Sequence, residues 1–127
     1  MTLTGTWEMT SFVTTFEDGA TQLSYGKTPQ GRITYTEDGF MSAHLWDPDR
    51  HIPDSLPDGR EAYFSYCGTY EVEDDTVVHH VTASTRPHWT GQTITRRLVP
   101  RGEEIELIAA VEFEGRAGEA VIRWRRL

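Results

Sequence analysis

The second half of the chain is an almost unbroken series of period-two alternations. Residues 68–73, 76–84, 92–99, 103–113 and 117–126 place apolar side chains at every other position. They are separated by turn formers at Asp74-Asp75, the Pro87 loop, Arg101-Gly102 and Gly115. This is the pattern of strands with one dry face and one wet face. Tyr70 and Val72 oppose Glu71 and Glu73; Ile94, Arg96 and Leu98 oppose Thr93, Thr95 and Arg97. Ile105, Leu107, Ala109, Val111 and Phe113 oppose Glu104, Glu106 and Glu112, and Ala120, Ile122 and Trp124 oppose Arg123 and Arg125. Strands joined this closely pair as an antiparallel meander.

The first half extends the pattern. Residues 3–16 read as a strand with Leu3, Gly5, Trp7, Met9, Ser11 and Val13 inward, and Thr4, Thr6, Glu8, Thr10, Phe12 and Thr14 outward. Gly26 and Pro29 make the segment from Glu17-Asp18-Gly19 to Gly31 a loop. Residues 32–36 and 40–46 flank Glu37-Asp38-Gly39, a hairpin with its glycine at the left-handed position. With Thr36 opposite Phe40, Ile33, Tyr35, Met41, Ala43 and Leu45 share one face, and Arg32, Thr34, Ser42 and His44 join Phe40 on the other. Residues 47–59 hold three prolines and four aspartates, which makes them a long loop suited to covering a site. A short helix is expected near residues 57–66, with Ala62, Tyr63 and Tyr66 on one stripe, placed to plug one end. About eight strands and almost no helix give an all-β chain, most economically an antiparallel up-and-down barrel, because closure removes exposed edges. Two packed sheets are the alternative.

A chain of 127 residues supplies one domain with a real core. Its net charge of −8 leaves no basic stripe for nucleic acid or anionic lipid. No secretory leader and no apolar run long enough to cross a bilayer is visible, so a cytoplasmic protein without nucleic-acid or membrane partners is expected. Cys67 is the only cysteine, which excludes an internal disulfide and reads as a small buried apolar residue.

Adjacent histidines occur mid-strand in Val77-Val78-His79-His80-Val81. Alternation turns one inward and the other outward. The more apolar parity, Val77, His79, Val81 and Ala83, makes His79 the inward candidate; a bulge at this pair would exchange the two. The competing reading is a core histidine whose hydrogen bonds are all satisfied.

The ordered set Gly5-Thr6-Trp7-Glu8, Gly31-Arg32-Ile33-Thr34-Tyr35-Thr36-Glu37-Asp38-Gly39, Gly68-Thr69-Tyr70-Glu71-Val72 and Val78-His79-His80-Val81 resembles the bacterial and fungal lipocalin-like domain family. The Gly-Thr-Trp opening is shared with lipocalins at large, whereas the Tyr-Thr-x-Asp-Gly hairpin with the double histidine is more specific. Pro87-His88-Trp89-Thr90-Gly91 and Arg96-Arg97 also fit, and the match spans nearly the whole chain. The resemblance implies a small barrel whose lumen takes a small, largely hydrophobic molecule, and it implies no particular reaction.

The inward faces would line such a lumen with Trp7, Met9, Ser11, Ile33, Met41, Val81, Ile94, Leu107 and Trp124 as ligand-binding residues. Among them stand a few polar groups: His79, Arg96, Tyr35 and Tyr70. No wall position carries a carboxylate, so an inward Arg96 needs an answering group: a ligand, an aspartate from the long loop, or a backbone carbonyl. A neutral His79 beside Arg96 and tyrosine donors suits proton abstraction next to a carbonyl, with His79 as base and Arg96 with Tyr35 or Tyr70 holding the enolate. Isomerisation, dehydration or cyclisation of a carbonyl compound of secondary metabolism would fit. A carrier or sensor needs only the lumen.

The five histidines show no spacing that brings two onto one face, so no metal and no cofactor are expected. The serines lack the glycines of a nucleophile elbow. His88 and Trp89 belong to the rim or to packing, and Trp7 with Trp124 to the barrel base. An outward set of Phe12, Phe16 and Phe40 would serve an interaction module or a homodimer.

Overall fold

The computed structural model describes residues 2–49 and 63–127. Among these residues nine strands follow one another: β1 (Gly5–Phe16), β2 (Thr21–Gln22), β3 (Gln30–Tyr35), β4 (Phe40–Trp46), β5 (Tyr63–Glu73), β6 (Thr76–Ser84), β7 (Thr93–Arg101), β8 (Glu104–Phe113) and β9 (Arg116–Arg126). Each pairs antiparallel with its neighbour in the order β2-β1-β3-β4-β5-β6-β7-β8-β9, and β1 also pairs with β9. That last pairing closes eight strands into a barrel, with the two-residue β2 added outside the ring. The only helical piece among the described residues is a 3-10 turn at Pro87–Trp89. No helix among them is long and apolar enough to cross a membrane.

The Asp-Gly hairpin forms as read. The Thr36 N–H donates to Phe40 O at 2.8 Å, and Gly39 takes φ +93°, the left-handed conformation that favours glycine. The helix expected near residues 57–66 is corrected where it can be seen. Residues 57–62 lie outside those described, but Tyr63 to Tyr66 open strand β5, with Phe64 and Tyr66 buried and Tyr63 and Ser65 turned outward. The alternation that decides this continues through Gly68 and Tyr70, so residue parity, not a helical stripe, sets the burial.

Two irregularities re-aim side chains. The first lies in β1, where the pairing with β9 shifts between Met9 and Ser11. One extra residue inverts every later position. Phe12, Thr14 and Phe16 therefore face the interior, whereas Ser11 falls on the opposite side. This overturns the outward phenylalanine patch: Phe16 is buried, and of the three only Phe40 is exposed. The second lies where Cys67 pairs with Ala83 but Gly68 pairs with Val81. It leaves His79 inward and turns Ala83 out to solvent.

One end of the barrel is filled. Trp7, Tyr35, Met41, Val77 and Ile105 are each no more than 3% exposed and occupy the half where β1 begins. The Trp7 indole N–H donates to Leu3 O at 2.9 Å, and the Arg126 guanidinium lies 4.1 Å over its ring, closing that end. On the outer wall Glu106 accepts from Arg101 at 3.0 Å and from Arg123 at 2.7 Å, tying β7, β8 and β9 together. Those two hydrogen bonds hold its carboxyl below the usual carboxylate range.

Candidate functional site

Above this plug the barrel is hollow. A cavity of about 480 Å³ occupies the half where β1 ends, within the roughly 300–1,000 Å³ typical of small-molecule sites. Its walls are apolar: Leu45 and Ala43 from β4, Ala109 and Val111 from β8, Ala120 and Ile122 from β9. The β1 irregularity adds Phe12, Thr14 and Phe16, and Tyr25 from the loop after β2 packs 5.3 Å from Phe12. Across the mouth, Trp89 of the 3-10 turn meets Phe64 edge-on at 4.9 Å, and the Arg86 guanidinium covers the other ring at 3.8 Å. Glu112, Phe113 and His88 complete an exposed rim.

The floor carries the polar groups. His79 is 1% exposed, and both ring nitrogens are engaged: Tyr35 Oη lies 2.7 Å from Nε2 and Tyr66 Oη 2.8 Å from Nδ1. Burial, reinforced by the nearby Arg96 cation and by His80, pushes the imidazole down to about 3. It is neutral at physiological pH. Burial likewise lifts the Tyr66 phenol to about 12 against the opposing pull of Arg96 and Arg86, and raises Tyr35 well above its ordinary value. Both therefore keep their protons.

Arg96 borders the cavity from β7. Burial lowers its basicity, while Tyr66 and Tyr35 act the other way. Its Nη1 donates to the carbonyl of its own neighbour, Thr95, at 3.0 Å. No carboxylate among the described residues forms an ion pair with it; a backbone carbonyl is its partner. Trp124, also bordering the cavity, is 2% exposed and has a buried Nε1–H with no acceptor among the described residues.

Of the catalytic set read from the sequence, His79 and Arg96 border the cavity. Tyr35 stands behind His79, and Tyr70 packs edge-on against Tyr35 at 4.7 Å with its hydroxyl donating to Thr36 O at 2.7 Å, away from the cavity. Of the ligand set, Ile33, Leu107 and Trp124 border the cavity. Trp7, Met9, Met41 and Val81 are buried outside its lining, Ile94 packs against the core from β7, and Ser11 lies beyond the irregularity on the wrong face. The sequence reading passed over Tyr66, Phe64, Phe12 and Phe16. Their signal was parity: large apolar residues move from odd positions at Trp7 and Met9 to even positions at Phe12 and Phe16, which marks the extra residue between them. Outside the barrel His80 sits 3.5 Å from Glu71, and no cluster able to hold a metal ion occurs among the described residues.

A family model described as a lipocalin-like domain matches residues 4–127. The chain belongs to the lipocalin-like domain family. Its lipocalin-like barrel also resembles the crystal structure of an uncharacterized protein from Bacteroides eggerthii DSM 20697. That likeness covers 96% of this chain and 98% of the other at 14% identity, with a TM-score of 0.51, and is one of fold. No curated protein matches the sequence. A lipocalin-like barrel with an apolar cavity of this size is suited to a small hydrophobic ligand.

Proposed function

We propose that this lipocalin-like protein is a carrier or sensor that binds one small, largely hydrophobic molecule in the barrel cavity. A carbonyl or other accepting group of that molecule is turned toward the floor. The observation that carries this reading is the contrast between dry walls and a floor where Arg96 meets no carboxylate among the described residues. A partly desolvated guanidinium is costly to leave uncompensated, and an acceptor on a ligand offsets that cost. Proton abstraction by His79, leading to isomerisation, dehydration or cyclisation, would need a free ring nitrogen. Both are engaged by tyrosines, and the imidazole is a weak base at about 3. Binding without turnover is accordingly the reading advanced.

Trp89 and Trp124 border the cavity, so their fluorescence reports its occupancy. Ala109, on the wall opposite Ala120 in the β8–β9 ladder, is the position to fill. The variant Ala109→Phe puts a ring into the cavity and is expected to weaken binding of hydrophobic carbonyl compounds by about tenfold or more, with the fold retained in circular dichroism. Unchanged affinity in a folded Ala109→Phe protein would place the ligand elsewhere.

A further inference from the structure

We propose that the floor of the cavity is a site for a single negative charge. It takes a carboxylate, or an enolate or phenolate oxygen, at one end of the hydrophobic ligand. The Arg96 guanidinium and the hydroxyl proton of Tyr66 hold that oxygen, and His79 and Tyr35 act as positioning residues. This rests on the reading that the cavity takes a small hydrophobic molecule; it adds the charge of the polar end and the donor that meets it.

The donor follows from counting protons. A neutral imidazole has one N–H and one bare nitrogen, and each tyrosine hydroxyl has one proton to give. His79 is flanked by two hydroxyls, at 2.7 Å on Nε2 and 2.8 Å on Nδ1. One tyrosine donates to the ring and the other accepts from it, so one hydroxyl proton must go elsewhere. Tyr35 is 1% exposed, does not border the cavity, and has no hydroxyl partner but His79 among the described residues. Were the ring protonated at Nε2, the Tyr35 proton would be stranded in the core. Tyr66 borders the cavity, where an acceptor can come to it. The arrangement that strands nothing has Tyr35 O–H donating to Nε2 and Nδ1–H donating to Tyr66 Oη, which leaves the Tyr66 proton for a ligand.

The charge follows from what surrounds this donor. His79, Tyr35 and Tyr66 are all neutral near pH 7, so Arg96 is the charge at the floor. From β8, Glu112 is the carboxylate that borders the cavity, and it stands beside Phe113 at the exposed rim, with His88 and Arg86 across the mouth. Burial lowers the basicity of Arg96, and the groups that act against it are Tyr66 and Tyr35. A guanidinium and a phenol proton converging on one oxygen group make charge-assisted hydrogen bonds, shorter and stronger than those to a neutral carbonyl. Trp124, whose buried N–H meets no acceptor among the described residues, borders the same cavity.

Two experiments test this. The first compares ligands of one shape and different charge by calorimetry near pH 7: cinnamate against cinnamamide and benzalacetone, and decanoate against decanamide and 2-undecanone. Each carboxylate is expected to bind about tenfold or more tighter than its neutral analogues. The preference should vanish in Arg96→Met and shrink about tenfold in Tyr66→Phe, while neutral ligands change little. Equal affinity for carboxylate, amide and ketone overturns the anion site and leaves the hydrophobic-ligand reading standing. Binding of none of the six overturns both. The second needs no ligand: nitrogen-15 NMR of the His79 ring in the free protein is expected to show the proton on Nδ1, and a proton on Nε2 overturns the assignment of Tyr66 as donor.

Discussion

Lowering the pH from 7 to about 4 should destabilise this barrel by about 3 kcal/mol through His79 alone. Its imidazole falls to about 3 in the folded chain, against 6.5 in the unfolded one. Between those values the unfolded chain takes up a proton that the folded chain refuses, so each pH unit favours unfolding by about 1.4 kcal/mol. Stability is full above pH 6.5 and declines as the pH falls toward 3. The cause is burial first, with the neighbouring Arg96 cation adding to it. Urea unfolding of the native chain and of His79→Gln at several pH values isolates the contribution, because every other titrating group is common to both. The variant is expected to be less stable at pH 7, having lost a two-sided hydrogen-bonded contact, and to show the shallower pH slope. Parallel slopes would mean that His79 is solvated or charged in the folded state.

The second large effect lies at Gly68, where no side chain fits. A Cβ there would overlap the carbonyl oxygen of His80, a backbone atom of the adjoining strand. The close approach occurs at the register shift between Cys67 and Gly68, before which Tyr66 pairs with Ser84 and after which Tyr70 pairs with His79. Backbone cannot swing aside as a flexible side chain can, so Gly68→Ala must pry β5 from β6. A loss of about 3 kcal/mol or more is expected, at the upper end of single-substitution effects. Gly115, at φ +76° with nothing within 4 Å of its Cβ position, provides the contrast. There alanine meets only left-handed backbone strain, about 1–2 kcal/mol. Thermal unfolding that ranks the two substitutions equally would remove the argument for close approach.

The strand pattern was legible because alternation survives wherever the ladder is regular. Residues 76–84 and 40–46 were read with the bounds observed, and His79 was placed inward from the parity of Val77 and Val81. What escaped the sequence traces to single-residue irregularities. Thr10 is an ordinary threonine, and nothing at that position announces the extra residue; only the later shift of Phe12 and Phe16 to even positions does. Ser11 was thereby assigned to the lumen, and the phenylalanines were sent outward. Tyr66 was lost for another reason: after a proline-rich stretch, Ala62, Tyr63 and Tyr66 mimic a short helical stripe. The alternation of Phe64, Tyr66, Gly68 and Tyr70 was cut at Gly68 before it could outweigh that stripe. Nor could face assignment separate the filled half of the barrel from the hollow one. Trp7 and Trp124 share an inward face, and it is the size of Trp7, Tyr35 and Met41 at one level, against Ala43, Ala109 and Ala120 at the other, that leaves room at one end only.

The most direct test of the binding account is methyl-resolved NMR of the protein titrated with decanoate. Methyl signals of Ile33, Leu45, Leu107 and Ile122, which border the cavity, are expected to shift together and to show contacts with the alkyl chain. Those of Val77 and Ile105, in the plug, should stay in place. Shifts confined to outward-facing methyl groups, or uniform shifts without contacts to the chain, would contradict a ligand in the lumen.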